Sequence, residues 1–239
     1  MKPGPAIDYP VRDGRPLGET DQHRQELTDY AVGVLARYFR GDPDVYVSGN
    51  NFVYWVEGDP KAVVSPDTYV VRGVAPGLRD TFKVWEEGGH RPCFALEITS
   101  HSTRREDMNT KLRRYRDELQ VPEYFLFDPR REWVEEGLRG YVLDPSGVYR
   151  QLATNDRGRL PSRELGLELG LVEGHLRFFL PGGAEPLPTE AERAEQARLR
   201  AEEAEFRVEQ ARLRAEQERL RAEELEAEVR RLRGLLPPD

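Results

Sequence analysis

The chain has one cysteine, Cys93, in 239 residues. That excludes an internal disulfide and fits a reducing cytosol. Lysine is nearly as scarce: Lys2, Lys61, Lys83 and Lys111 stand among 36 basic residues, the rest being arginine. Arginine is a permanently charged fork, whereas lysine is a compact point charge whose pKa can move. Each lysine is therefore worth weighing, although Lys2 and Lys61 read as ordinary surface residues. The four histidines, His23, His90, His101 and His175, keep no metal-ligand spacing. No apolar run follows Met1 and none approaches membrane-spanning length, so the expectation is a soluble, cytoplasmic chain without a signal peptide or a membrane partner. Basic charge is also in deficit, with a net −8. This argues against a non-specific nucleic-acid coat but leaves room for a local basic cleft or a bound metal ion.

Hydrophobic residues make up 38% and charged residues 33%, so a complete core must be concentrated in part of the chain. Residues 1–19 are rich in Pro and Gly and read as an arm. Over 21–40 the positions Leu27, Tyr30, Ala31, Val34, Leu35, Tyr38 and Phe39 predict an amphipathic helix, stopped by Gly41-Asp42-Pro43. Strand-like runs follow at 45–48, 51–56 and from Asp67, then a loop over 73–89 able to fold over a site, and a strand over 93–99. Thr103-Arg104-Arg105-Glu106 has the form of a capping box. It predicts a helix with a buried stripe of Met108, Leu112, Tyr115 and Leu119, ending near Val121-Pro122. Further strands are expected at 123–128, 140–143, 148–152 and 175–180. This order predicts an α/β domain with a mixed sheet.

After a breaker-rich linker (183–188), residues 189–236 contain little but Ala, Glu, Arg, Gln and Leu. Positions 197, 201, 204, 208, 211, 215, 218, 222, 225, 229, 232 and 236 keep a heptad spacing, Ala-rich at first and fully apolar only from Leu225. A second stripe, Leu199, Phe206, Leu213 and Leu220, lies roughly opposite. A long coiled-coil helix is expected, with the pairing seam open.

Two carboxylates stand in apolar, strand-like surroundings: Asp67, opening Thr68-Tyr69-Val70-Val71, and Glu97, inside Phe94-Ala95-Leu96-Glu97-Ile98-Thr99. A carboxylate among β-formers is costly unless it is paired or bound to a cation. Two on neighbouring strands make an oxygen-ligand site suited to Mg²⁺. Strand alternation puts Ala95, Glu97 and Thr99 on one face and Phe94, Leu96 and Ile98 on the other. Lys111 lies one helical turn after Asp107 and one before Tyr115, so it flanks the buried stripe and can reach the space above Glu97. Taken singly, Asp67 reads as a turn residue, Lys111 as a snorkelling side chain and Tyr115 as core. Glu26 on the first helix is a further acidic candidate, more simply a solvated residue. Trp55, Trp85 and Trp133 read as core or hairpin residues and Cys93 as a small buried hydrophobe.

Pro66-Asp67, Glu97-Ile98-Thr99-Ser100, Ser102-Thr103, Asp107, Lys111, Tyr115 and Val121-Pro122-Glu123-Tyr124-Phe125-Leu126-Phe127-Asp128-Pro129 together resemble the Uma-type restriction endonucleases of the PD-(D/E)XK superfamily, over roughly residues 20–182. The resemblance implies a restriction-endonuclease-like core in which Asp67, Glu97 and the Ile98 carbonyl hold Mg²⁺ or Mn²⁺. It further implies metal-assisted hydrolysis of DNA phosphodiester bonds. The superfamily pattern has lysine two residues after the glutamate, where this chain has Thr99. In Uma-type sequences that position is usually Ser or Thr and a helical lysine takes over, which Lys111 matches. The expectation is a Mg²⁺-dependent endodeoxyribonuclease that self-associates through its tail, a dimer suiting a two-strand cut. The alternatives are a non-cleaving nucleic-acid-binding or scaffold protein on the same fold, with Thr99 marking lost activity, and an interaction protein whose tail is the working part.

Overall fold

The structure is a computed structural model that describes residues 7–11, 19–99 and 106–233. By its internal contacts the chain divides into two units, Met1–Thr189 and Glu190–Asp239. The first is a mixed α/β unit. It begins with α1 (Glu19–Tyr38), and the strands β1 (Val45–Ser48), β2 (Phe52–Tyr54), β3 (Val63–Val64), β4 (Thr68–Arg72), β5 (Thr81–Lys83) and β6 (Pro92–Ile98) follow. A helix then leads to β7 (Glu123–Phe127), β8 (Leu138–Leu143), β9 (Tyr149–Gln151), β10 (Leu160–Ser162), β11 (Leu167–Val172) and β12 (His175–Phe179). The described residues of the second unit form one long helix, α2 (Glu190–Arg233). No helix among the described residues is long and apolar enough to cross a membrane.

Six strands form the central sheet, in the order β1-β4-β6-β7-β8-β9. Only β6 and β7 run parallel; the other neighbours are antiparallel. A parallel pair needs a crossover, and the helix between β6 and β7 supplies it. Both strands are buried along their whole length, which is why they read as unbroken apolar runs. The two faces meet different cores. Phe94, Leu96, Ile98, Phe125 and Phe127 pack with Ala31, Val34 and Leu35 of α1 and with Leu169 and Phe178 of the antiparallel sheet β10-β11-β12. Ala95, Tyr124 and Leu126 pack on the other face with Tyr115, Leu119, Val53 and Phe82. The alternation expected within 93–99 is thus the partition between the two cores.

Several elements differ from expectation. The segment 73–89 is no free flap: β5 pairs in parallel with β2 in the sheet β3-β2-β5, with Phe82 fully buried. Arg79 fixes the approach to that strand, its Nε donating to Glu87 Oε1 at 2.6 Å, while Asn51 Nδ2 donates to the Arg79 carbonyl at 3.2 Å. Strands β3, β10 and β11 are additional to those expected. The first two are only two and three residues long, too short to show a period, and β10 carries Pro161 while β11 carries Gly170. The helix after β6 is wound as π turns over Glu106–Lys111 and Arg114–Glu118, and the left-handed Gln120 (φ 53) ends it before Val121-Pro122. Within the arm, Tyr54 Oη donates to the Pro10 carbonyl at 2.6 Å and Tyr9 stacks edge-on against Tyr54 at 5.2 Å. Of the tryptophans, Trp55 is buried and Trp85 and Trp133 half-buried. Ser100, His101, Ser102 and Thr103, with the capping box they would open, lie outside the described residues, as do the side chains of His23, Glu26 and Asp107.

Candidate active site

Asp67 precedes β4, which pairs with β6 in the register Thr68↔Leu96, Tyr69↔Ala95 and Val70↔Phe94. Continuing that register by one residue sets Asp67 across from Glu97, and directly opposed residues share a face. The two carboxylates are 1% and 0% exposed. Asp67 is held from both ends. Its Oδ2 accepts a hydrogen bond from the Ile98 backbone N–H at 2.7 Å, and the neighbouring Pro66 carbonyl accepts from Asn50 N–H at 2.8 Å. The turn before Asn50 comes so close that a Cβ on Gly49 would lie 2.1 Å from the Asp67 carbonyl oxygen and 2.9 Å from Val32 Cγ2 of α1. Only glycine fits there.

Glu97 is held from the crossover helix. Lys111 Nζ lies 2.7 Å from Glu97 Oε2 and donates also to the Ser65 carbonyl at 3.2 Å. Tyr115 Oη donates to Glu97 Oε1 at 2.6 Å. Lys111 is 8% exposed and Tyr115 fully buried, the phenol ring packing 5.0 Å from that of Tyr124. Burial first, then the Glu97 charge, hold the Tyr115 hydroxyl well above the usual phenol range, with Asp67 adding to the effect. The phenol therefore stays protonated and acts as a donor. Both oxygens of Glu97 are thus tied to side chains four residues apart on one helix, in surroundings where charge interactions are strong.

The structure brings together Asp67, Glu97, Lys111 and Tyr115, with Ile98 between the two acids through its N–H. Thr99 is set differently: its N–H and Oγ1 both donate to the Phe127 carbonyl, at 2.8 and 3.3 Å, so the residue at the usual lysine position fastens β6 to β7. The Ser65 carbonyl, which fixes Lys111 from the β4 side, is an addition to the expected set. The only sequence signal for it is its place in Ser65-Pro66-Asp67, beside the acid. Among the described residues no third His, Cys, Asp or Glu joins the pair in a metal-binding group. Two carboxylates are hard oxygen donors; they fit Mg²⁺ or Mn²⁺, which keep water or substrate oxygens in their remaining positions, better than a soft-ligand metal.

A family model described as "Uma2: Putative restriction endonuclease" matches residues 2–178. A solved structure described as a "putative nuclease belonging to DUF820 from Anabaena variabilis" aligns at 16% identity with a TM-score of 0.41, covering 66% of this chain and 78% of that one. A likeness so distant carries no functional weight. No curated protein matches the sequence.

Proposed function

Since this chain belongs to the Uma2 restriction endonuclease family, we propose that it is a metal-dependent endonuclease hydrolysing DNA phosphodiester bonds. On this reading the nuclease domain spans residues 20–182 and residues 183–188 join it to the helical tail. Asp67, Glu97 and the Ile98 carbonyl would hold Mg²⁺ or Mn²⁺, which would supply there a lowered pKa for water and an offset to charge developing on the phosphate. Lys111 orients the attacking water or neutralises the phosphorane, and Tyr115 fixes the Glu97 carboxylate. The protein contributes position and electrostatics more than covalent chemistry.

The observation that carries this reading is the convergence of a helical lysine on the strand glutamate, 2.7 Å apart and nearly dry. It supplies the cation that position 99 lacks. The test is calorimetric Mn²⁺ binding together with nicking of supercoiled DNA. Binding is expected in the wild type and not in Asp67→Ala or Glu97→Ala. Divalent-dependent nicking is expected in the wild type and not in Lys111→Ala. Equal nicking by wild type and Asp67→Ala would assign the activity to a contaminant and sink the proposal. Mn²⁺ binding without nicking favours the second reading, a non-cleaving nucleic-acid-binding or scaffold protein on the same fold, with Thr99 where the superfamily has its lysine.

A further inference from the structure

Within the second unit, α2 is solvent-exposed along nearly all of its described side chains. It nevertheless carries four large apolar side chains, Leu199, Phe206, Leu213 and Leu220, between 46% and 66% exposed. They recur at intervals of seven residues, and two α-helical turns bring such positions nearly into line. The charges around this row are sorted. Arg200, Arg207, Arg214 and Arg221 each follow a row member by one residue. Glu195, Glu202, Glu209 and Glu216 each precede a row member by four residues. The block Glu195–Glu202 is repeated without change at Glu209–Glu216. With the row at heptad position d, the arginines are the e column and the glutamates the g column.

We propose that this row is the docking face for a second copy of the chain, which packs on it as a parallel, in-register, two-stranded coiled coil over residues 195–221. In that arrangement each g side chain meets the e side chain five residues on in the other copy. The pairs are Glu195 with Arg200, Glu202 with Arg207, Glu209 with Arg214 and Glu216 with Arg221, each occurring twice by the two-fold symmetry. Reversing one helix sets g against g and e against e, which opposes glutamate to glutamate and arginine to arginine.

The Ala-rich seam on the opposite face is the competing choice, and the same arithmetic disfavours it. Parallel pairing there gives the opposite-charge pairs Arg200 with Glu205 and Arg221 with Glu226, but confronts Arg207 with Arg212 and Arg214 with Arg219, whereas all four pairs of the Leu/Phe row are of opposite charge. The a positions beside the Leu/Phe row are polar: Gln196, Glu203, Gln210 and Gln217. Polar a residues weaken a coiled coil while specifying its register, so this pairing depends on its flanking charges and is expected to loosen as salt rises. The ion pairs within the free helix, such as Arg207 with Glu203 at 3.7 Å, are highly exposed and exchange partners at little cost. The pairing is independent of the chemistry proposed for the first unit.

The test uses the full-length chain. Light scattering should give twice the 27.5 kDa chain mass. The triple variant Arg207→Glu/Arg214→Glu/Arg221→Glu should fall to the single-chain mass, as should Glu202→Arg/Glu209→Arg/Glu216→Arg, and mixing the two should restore a one-to-one dimer. That recovery excludes loss of the helix as the cause. The native thiol gives a silent background for cross-linking, since burial pushes Cys93 up to about 12. Under mild oxidation Leu199→Cys should link two copies, which an antiparallel pair cannot do at one end of the seam, and Ala211→Cys should not. A monomeric wild type, an unchanged mass in the arginine variant, or cross-linking at Ala211 in place of Leu199 would each overturn the proposal.

Discussion

Lys111 and Glu97 form a buried ion pair, and such pairs are most costly when broken on one side only. With Lys111→Ala, the fully buried Glu97 loses its cationic partner, which should cost about 3–5 kcal/mol. Replacing both, as Glu97→Gln/Lys111→Met, should recover most of that loss. Urea unfolding of the two single variants and the double would measure the coupling, and additive losses would mean the pair does not act as a unit. Much of this pair is legible in the sequence. Asp67 and Glu97 stand out because strands seldom carry lone acids, and Lys111 because lysine is rare here. That both Glu97 oxygens are tied to one helix is not legible, since hydrogen-bond partners depend on how that helix is wound. Nor is Thr99's bond to Phe127, because it crosses between strands joined by a helix.

The residue pattern of the crossover helix is that of an ordinary amphipathic helix. Its π turns, with Leu119 N–H donating to the Arg114 carbonyl at 2.9 Å, leave no mark in that pattern. Wide turns of this kind are frequent at functional sites, and here they carry both side chains that reach Glu97. Strands with long runs or clear alternation are legible, whereas β3, β10 and β11 are defined by their neighbours. The anchoring of β10 is a case in point. Glu123, at the start of β7, accepts hydrogen bonds from Ser162 Oγ and from the Arg163 N–H at 2.8 Å. Burial holds its carboxyl above the usual range despite these donors. A carboxyl whose folded pKa exceeds its unfolded value binds its proton more tightly when folded, so its contribution to stability declines as pH rises from the unfolded to the folded value. Across the mildly acidic range, rising pH should therefore lower the unfolding midpoint of the wild type relative to that of Glu123→Gln. Identical slopes in the two proteins would remove Glu123 as a contributor.

At the scale of the molecule, the composition break at 181–186 reads as a join between two parts, and by internal contacts the chain splits into Met1–Thr189 and Glu190–Asp239. The first unit contains both hydrophobic cores. Removing residues 190–239 should leave the thermal unfolding of the first unit intact by circular dichroism, while abolishing any self-association that the tail supplies. A truncated chain that no longer melts cooperatively would show that the tail supports the fold. A different dependence runs inside the first unit, from Val32 on α1 through Gly49 to the backbone of Asp67. Three segments distant along the polymer stack there with space for a hydrogen atom and nothing larger. A descendant sequence that acquired even a methyl group at position 49 would have to push the acid out of line. It could keep every ionisable group and still lose its grip on a cation, so competence in such a chain must be judged at an uncharged position as well as at the charged ones.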